Sequence, residues 1–246
     1  MVGDGPRNVL LVHGWMVSGA VFDGLVELLD TTGLRLVIPD LRGSGGSGSP
    51  QGGYTLEQHA RDVLAVADHA GLKRFTVVGH SMGGQLAQWV AAREPSRVEG
   101  LVLLNTVPAS GMQLPPEAAG LFRTSANDKE KQKMILGLAC KQLSEAALER
   151  LLKDAGAVAR DSIEGSFDAW TGGGFEAKLA SITAPTLVLA TDDPFLPPAF
   201  LREKVVSPIQ GARLTYLPGP GHYPLVERPA ETAALLTSFL AGLGRA

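Results

Sequence analysis

A single cysteine, Cys140, in 246 residues excludes an internal disulfide and is consistent with a reducing compartment. No apolar run is long enough to cross a bilayer. The opening residues, Met1-Val2-Gly3-Asp4-Gly5-Pro6-Arg7-Asn8, lack the basic-then-apolar order of a secretory signal, so a cytoplasmic location is the expectation. Neither sign of charge dominates: 22 Lys and Arg against 25 Asp and Glu leave a net charge of −3, which offers no basic surface to nucleic acid or anionic lipid. Internal repeats are lacking, and the one Gly/Ser-rich stretch, residues 42–50, is too short to link domains. What is present is an ordinary globular composition, 45% hydrophobic and 19% charged with 30 Gly and 16 Pro. A chain of this length can bury most of its surface without a metal or disulfide to hold it.

Apolar runs at 9–12 and 34–38 and a buried segment at 75–78, with further segments at 101–104, 186–190 and 213–217, predict six strands. Helical patterns separate them. Phe22, Leu25, Val26 and Leu29 share one face, and Thr31-Thr32-Gly33 ends it. Thr55 reads as an N-cap with Gln58 completing a capping box; Leu56, Ala60, Val63, Leu64 and Ala67 form the apolar face, and Gly71 is the stop. A helix carrying Leu86 and Val90 starts directly after Ser81 and closes at Glu94-Pro95. Two more are expected near 199–206 and 230–240. Strands alternating with helices imply crossover connections, a parallel sheet and helices on both faces: an α/β fold. The alternation breaks over 108–182, which has helix signals and no strand. There Asn127 with Glu130 resembles a capping box, and Ser144 is placed to cap a helix carrying Leu148, Leu151 and Leu152. The prediction is a helical cap at 108–182 inserted into a core made of 1–107 and 183–246.

Gly79-His80-Ser81-Met82-Gly83 lies between a predicted strand and a predicted helix. The Gly-x-Ser-x-Gly pattern alone is common. In a sharp strand-to-helix turn it exposes a strained serine at the sheet's C-terminal edge, and its glycines let neighbouring backbone approach. A serine hydroxyl needs a base. Of five histidines, His13 and His80 lie within glycine motifs, and His59 and His69 sit on the Thr55 helix, where exposed or half-buried structural roles are expected. His222 follows a strand in a Pro/Gly-rich loop and is the candidate base. The base needs a carboxylate to hold its tautomer. Asp192 and Asp193 both follow the 186–190 strand; their side chains should point in opposite directions, so only one can reach His222. An oxyanion needs two donors, each worth roughly 3 kcal/mol of barrier. The backbone N–H of Met82 is one candidate and that of Trp15, after the first strand, is the other; the Trp15 ring would also wall the pocket.

Five segments together resemble the α/β-hydrolase fold family: Leu11-Val12-His13-Gly14-Trp15, Asp40-Leu41-Arg42-Gly43-Ser44-Gly45-Gly46-Ser47, Gly79-His80-Ser81-Met82-Gly83-Gly84, Thr191-Asp192-Asp193-Pro194-Phe195-Leu196-Pro197, and Gly221-His222-Tyr223-Pro224-Leu225-Val226-Glu227-Arg228-Pro229. They run from residue 9 toward the C-terminus in the family's order Ser, Asp, His. The resemblance implies that Asp193, just before a Pro-x-x-Pro-like turn, is the acid, and that the loop from Asp40 to Ser47 is structural. One departure is the start. Only eight residues precede Val9, too few for the antiparallel hairpin of many members, so a sheet of about six parallel strands is expected. Members with this shorter start include small esterases and hydroxynitrile lyases.

Fold alone does not decide the substrate. The 108–182 stretch supplies Met112, Leu114, Leu121, Phe122, Met134, Ile135, Leu138, Phe167 and Trp170, and its charges nearly balance. A neutral, largely apolar ester or lactone is the expected substrate, contacted by Trp15, Phe122, Trp170 and Phe195, with no metal or organic cofactor and a monomer or homodimer as the working form. The same three residues would also serve a C–C bond hydrolase, a hydroxynitrile lyase or a cofactor-free haloperoxidase or perhydrolase. A small-molecule receptor on this fold is the non-catalytic alternative.

Overall fold

The computed structural model describes residues 1–48 and 50–243. Six strands form one parallel sheet: β1 (Arg7–Val12), β2 (Leu34–Val37), β3 (Phe75–His80), β4 (Val98–Leu104), β5 (Thr186–Ala190) and β6 (Arg213–Tyr216), in the spatial order β2-β1-β3-β4-β5-β6. Leu10, Leu11, Val77, Val78, Leu101 and Leu103 are fully buried, which is why these strands read as unbroken apolar runs. On the outer edge of β2, Val2 makes one antiparallel bridge to Leu36, with N–H to O distances of 3.0 and 2.8 Å.

The helices are α1 (Asp23–Leu28), α2 (Leu56–His69), α3 (Met82–Arg93), α4 (Pro116–Arg123), α5 (Lys129–Ala139), α6 (Glu145–Ala157), α7 (Arg160–Gly172), α8 (Pro198–Leu201, continuing as a wider turn over Arg202–Val206), α9 (Pro224–Glu227) and α10 (Pro229–Gly242). The pairs α1–α10 and α2–α3 flank the sheet. Helices α4 to α7 are the inserted helical segment, placed between β4 and β5.

The ends of α2 follow local chemistry. Thr55 Oγ1 accepts the Gln58 N–H at 3.2 Å, and at the other end Leu72 N–H reaches Ala67 O at 2.8 Å past Gly71, whose φ is +71°. The expected capping box is only half made, because the Gln58 side chain turns to Asp62 Oδ1 at 2.9 Å. Ser144 caps α6 as expected, accepting Ala147 N–H at 3.2 Å. The cap of α5 is Asp128, not Asn127: Asp128 Oδ1 accepts Lys131 N–H at 3.1 Å, while Asn127 turns the chain with φ 59°. Short helix α9 follows the Pro/Gly loop that carries His222, in a stretch where no helix was expected. Two residues counted among the insertion's packing side chains face outward: Met134 and Leu138 are 56% and 51% exposed.

The order reversal positions the site. The chain leaves β1 for β2 on one side and returns to β3 on the other, so the loops after β1 and β3 part at a switch point at the strands' C-terminal ends.

Candidate active site

Ser81 occupies the turn between β3 and α3 with φ 55° and ψ −122°, a region that non-glycine residues rarely enter. Its backbone is tied down on both sides. Ser81 N–H donates to Leu104 O at 3.1 Å, and Ser81 O accepts from Gly84, Gln85 and Val107 N–H at 2.9, 3.2 and 3.1 Å. Surroundings that over-determine a conformation in this way can hold local strain. The glycines are needed for approach: a Cβ on Gly83 would sit 2.1 Å from Val12 O, and one on Gly79 would sit 2.2 Å from Gly83 O. Helix α3 can therefore start directly beneath the β1 loop.

That loop is fixed by His13. The buried ring donates from Nδ1 to Gly14 O at 2.8 Å and accepts Leu41 N–H at Nε2 at 2.9 Å, and burial lowers its pKa. Asp40 holds the adjoining turn by accepting Gly19 and Gly46 N–H, each at 2.8 Å. A Cβ on Gly14 would lie 3.0 Å from Ser81 Cβ, so the loop runs against the serine. Among the described residues, the amides of Trp15 and Met82 have no backbone acceptor. The Trp15 indole points into the insertion and donates from Nε1 to Ile163 O at 2.8 Å.

His222 and Asp193 are brought together. Nδ1 of the ring lies 2.6 Å from Asp193 Oδ2, and the other oxygen of Asp193, itself 2% exposed, accepts Phe195 N–H at 2.8 Å. With Nδ1–H given to a carboxylate, the lone pair of the ring is on Nε2. Asp192 points the other way: it accepts the Tyr216 hydroxyl and the Gly219 N–H (2.9 Å), and both bonds hold its carboxyl below the usual range. The His222 backbone is anchored as well. Its carbonyl accepts from His80 Nε2 at 2.9 Å and Asn105 Nδ2 at 3.2 Å, and its N–H donates to Ala139 O at 2.9 Å. Burial, then the charge of His222 when it is protonated, pushes the His80 pKa far down, so His80 is a neutral donor.

Ser81 and His222 open on one cavity of about 40 Å³. Among the described residues no hydrogen bond joins the Ser81 hydroxyl to the ring; apo sites commonly tighten only around substrate. The sequence-predicted contacts Trp15, Phe122, Trp170 and Phe195 all line this cavity. Trp15 stacks on Phe122 with ring centroids 5.5 Å apart, and Trp170 and Phe167 close around them. Met112 and Ile135 of the inserted segment also line it, and Met16, Val107, Ala139, Leu196 and Tyr223 join the wall without having been foreseen as contacts, since apolar residues near element ends carry no signal that separates lining from packing. Among the described residues no group of His, Cys, Asp and Glu is placed to hold a metal ion.

His59 departs from expectation. It is 1% exposed, with Nε2 3.0 Å from Ser166 Oγ across the seam between α2 and α7, whereas His69 is exposed.

Residues 7–134 match the sequence model of a family described as alpha/beta hydrolase fold. A non-heme haloperoxidase from Rhodococcus erythropolis is 28% identical over 95% of this chain and 92% of its own length. Among solved structures, a hydrolase from Pseudomonas aeruginosa is 30% identical with a TM-score of 0.82, covering 96% of this chain and 92% of that one. An esterase from Exiguobacterium antarcticum, 23% identical over 96% and 92% of the two chains, has the same fold with a TM-score of 0.89.

Proposed function

The chain belongs to the alpha/beta hydrolase fold family, and from that premise we propose that it is a serine hydrolase that cleaves a small, largely apolar carboxylic ester or lactone through an acyl-enzyme on Ser81. The observation that carries this reading is His222 held by Asp193 at Nδ1, in the cavity that also receives Ser81. His222 takes the Ser81 proton as the hydroxyl oxygen attacks the substrate carbonyl. The amides of Trp15 and Met82 hold the oxyanion. They are suited to it because neither has a backbone acceptor among the described residues, and Met82 begins a helix. Asp193 orients the ring and stabilises its cationic form. His222 then gives the proton to the leaving alcohol, and water, deprotonated by the same ring, releases the acid. Residues 108–182 act as a cap that excludes solvent from the acyl-enzyme, over a core of 1–107 and 183–246. Trp15, Phe122, Trp170 and Phe195 give the apolar part of the substrate its walls.

Ser81→Ala tests the reading. Turnover of p-nitrophenyl acetate is expected to fall by at least about 10⁴-fold, with labelling by a fluorophosphonate probe abolished and the unfolding midpoint little changed. A variant that kept near-wild-type turnover would rule out Ser81 as nucleophile.

A second reading is favoured by the haloperoxidase relative, which aligns over nearly the whole chain. In it, Ser81 is acylated by a carboxylic acid with loss of water, and hydrogen peroxide replaces water in the second step, releasing the serine and a peracid. Peracid formation from acetate and hydrogen peroxide, set against ester hydrolysis under the same conditions, separates the two.

A further inference from the structure

Glu227 is 8% exposed and carries no catalytic assignment in the proposed mechanism. Its carboxylate gathers backbone donors from two parts of the chain. Oε2 accepts the N–H groups of Lys141 and Gln142 at 2.8 Å each and that of Gly221 at 2.9 Å; Oε1 accepts Tyr223 N–H at 3.1 Å. The neighbouring cation is occupied elsewhere, since Arg228 pairs with Glu231 at 2.6 Å. A buried carboxylate without a counter-ion is costly unless hydrogen bonds replace its water, and these four bonds do so.

The placement of the donors matters. Gly221 and Tyr223 are the residues on either side of His222, while Lys141 and Gln142 follow the C-terminal end of α5 in the inserted segment. The same two strands of chain touch directly: His222 N–H donates to Ala139 O at 2.9 Å, and a Cβ on Gly221 would lie 2.3 Å from that oxygen. We infer that Glu227 is a positioning residue, which fastens the loop carrying His222 to the end of α5 so that base and cap share one fixed edge. This rests on the serine-hydrolase reading for its kinetic consequence, though not for its geometry. The Nδ1–Asp193 bond depends on where the backbone of residues 221–223 lies. A shift of that loop by about 1 Å is enough to cost a factor on the order of 10² in rate.

Glu227→Gln tests this. Glutamine keeps the length but must turn an NH₂ toward at least one N–H donor, so one side of the clamp is lost. For p-nitrophenyl acetate, kcat is expected to fall at least ~10-fold with KM held within about 2-fold, and the rate at which a fluorophosphonate labels Ser81 should fall in parallel. A merely structural glutamate would move the unfolding midpoint and leave both rates near wild type; that result in the folded variant overturns the inference. Amide hydrogen exchange in the wild-type protein gives a reading that does not require the variant to fold. The amides of Lys141, Gln142, Gly221 and Tyr223 should be protected and open together, roughly 10²-fold or more slower than unprotected amides. Free exchange at Lys141 and Gln142 beside a protected Gly221 also overturns it. Neither exchange result depends on Ser81, so a failure of the nucleophile assignment, read from Ser81→Ala, is distinguishable from a failure of the clamp.

Discussion

His59 holds α2 to the inserted helix α7 through Ser166 while its Nδ1 has no partner among the described residues. Burial first, and then the nearby Arg42 guanidinium, pushes its pKa from 6.5 to about 4, against a smaller opposing pull from Asp62. The sign of the consequence is fixed. Between about pH 6.5 and 4 the unfolded chain binds the proton and the folded chain does not, so unfolding gains ground as pH falls. The contribution is complete above the unfolded pKa and is lost on the way down to the folded one; its full size is on the order of 3 kcal/mol. Burial also lowers the pKa values of His13 and His80, so His59 supplies only part of the slope. His59→Gln removes the titration and keeps a group able to bond Ser166. Its urea unfolding free energy should fall less between pH 7 and 4.5 than that of wild type, and equal falls would contradict the argument.

The elements around Ser81 are held at distances that leave no room for a single carbon. Gly83→Ala would place a Cβ 2.1 Å from Val12 O and 2.4 Å from His13 O, both backbone atoms of β1 and its loop. Helix α3 would have to withdraw, taking the Met82 amide with it. The expected loss is about 3 kcal/mol or more in stability, together with most of the ester turnover proposed above. Gly137, in the last turn of α5 with nothing within 4 Å of its would-be Cβ, should respond oppositely: Gly137→Ala is expected to stabilise by up to roughly 0.5–1 kcal/mol. Thermal unfolding of the two variants side by side checks the contrast. The same elements mark how far a sequence can be read. The central strands were legible because a parallel strand buried on both faces is a nearly unbroken apolar run, the edge strand β6, exposed or half-buried along its length, only from its place in the alternation, and the elbow because its glycines and serine are adjacent in the chain. The α5 start slipped by one residue because Asn127 and Asp128 are both cap-formers, and only the backbone turn at Asn127 decides between them. His59 read as an exposed or half-buried structural histidine because its partner Ser166 lies 107 residues away. Glu227 stood in plain view in the His222 segment, yet its donors come from residues 141–142 as well as 221–223, a convergence that no local pattern encodes.

The molecule as a whole presents a closed site. A cavity of about 40 Å³ is small beside the ~300–1,000 Å³ of most ligand pockets and has room for only a few water-sized groups. On the proposed ester-hydrolase reading, an acetyl or propionyl group suits such a space, and an octanoyl chain requires residues 108–182 to move. The cap is anchored unevenly. Its α7 side is held by Trp15 Nε1 to Ile163 O, His59 to Ser166, and Ser162 Oγ to Arg42 O at 3.1 Å, and its α5 end is held through Glu227 and Ala139. Helix α4 buries only Phe122, the residue that stacks on Trp15 over the cavity. Phe122 is therefore the lining side chain at which the size limit proposed for the site is tested. For wild type, kcat/KM should be at least ~10-fold higher on p-nitrophenyl acetate or propionate than on the octanoate, a difference near 1.4 kcal/mol in the barrier. Phe122→Ala should shift the optimum toward longer acyl chains, at a stability cost of about 3 kcal/mol for the buried ring. A wild-type preference for octanoate would mean that α4 stands open during turnover, and an unchanged profile in Phe122→Ala would place the size limit elsewhere on the wall, at Trp170 or Phe195.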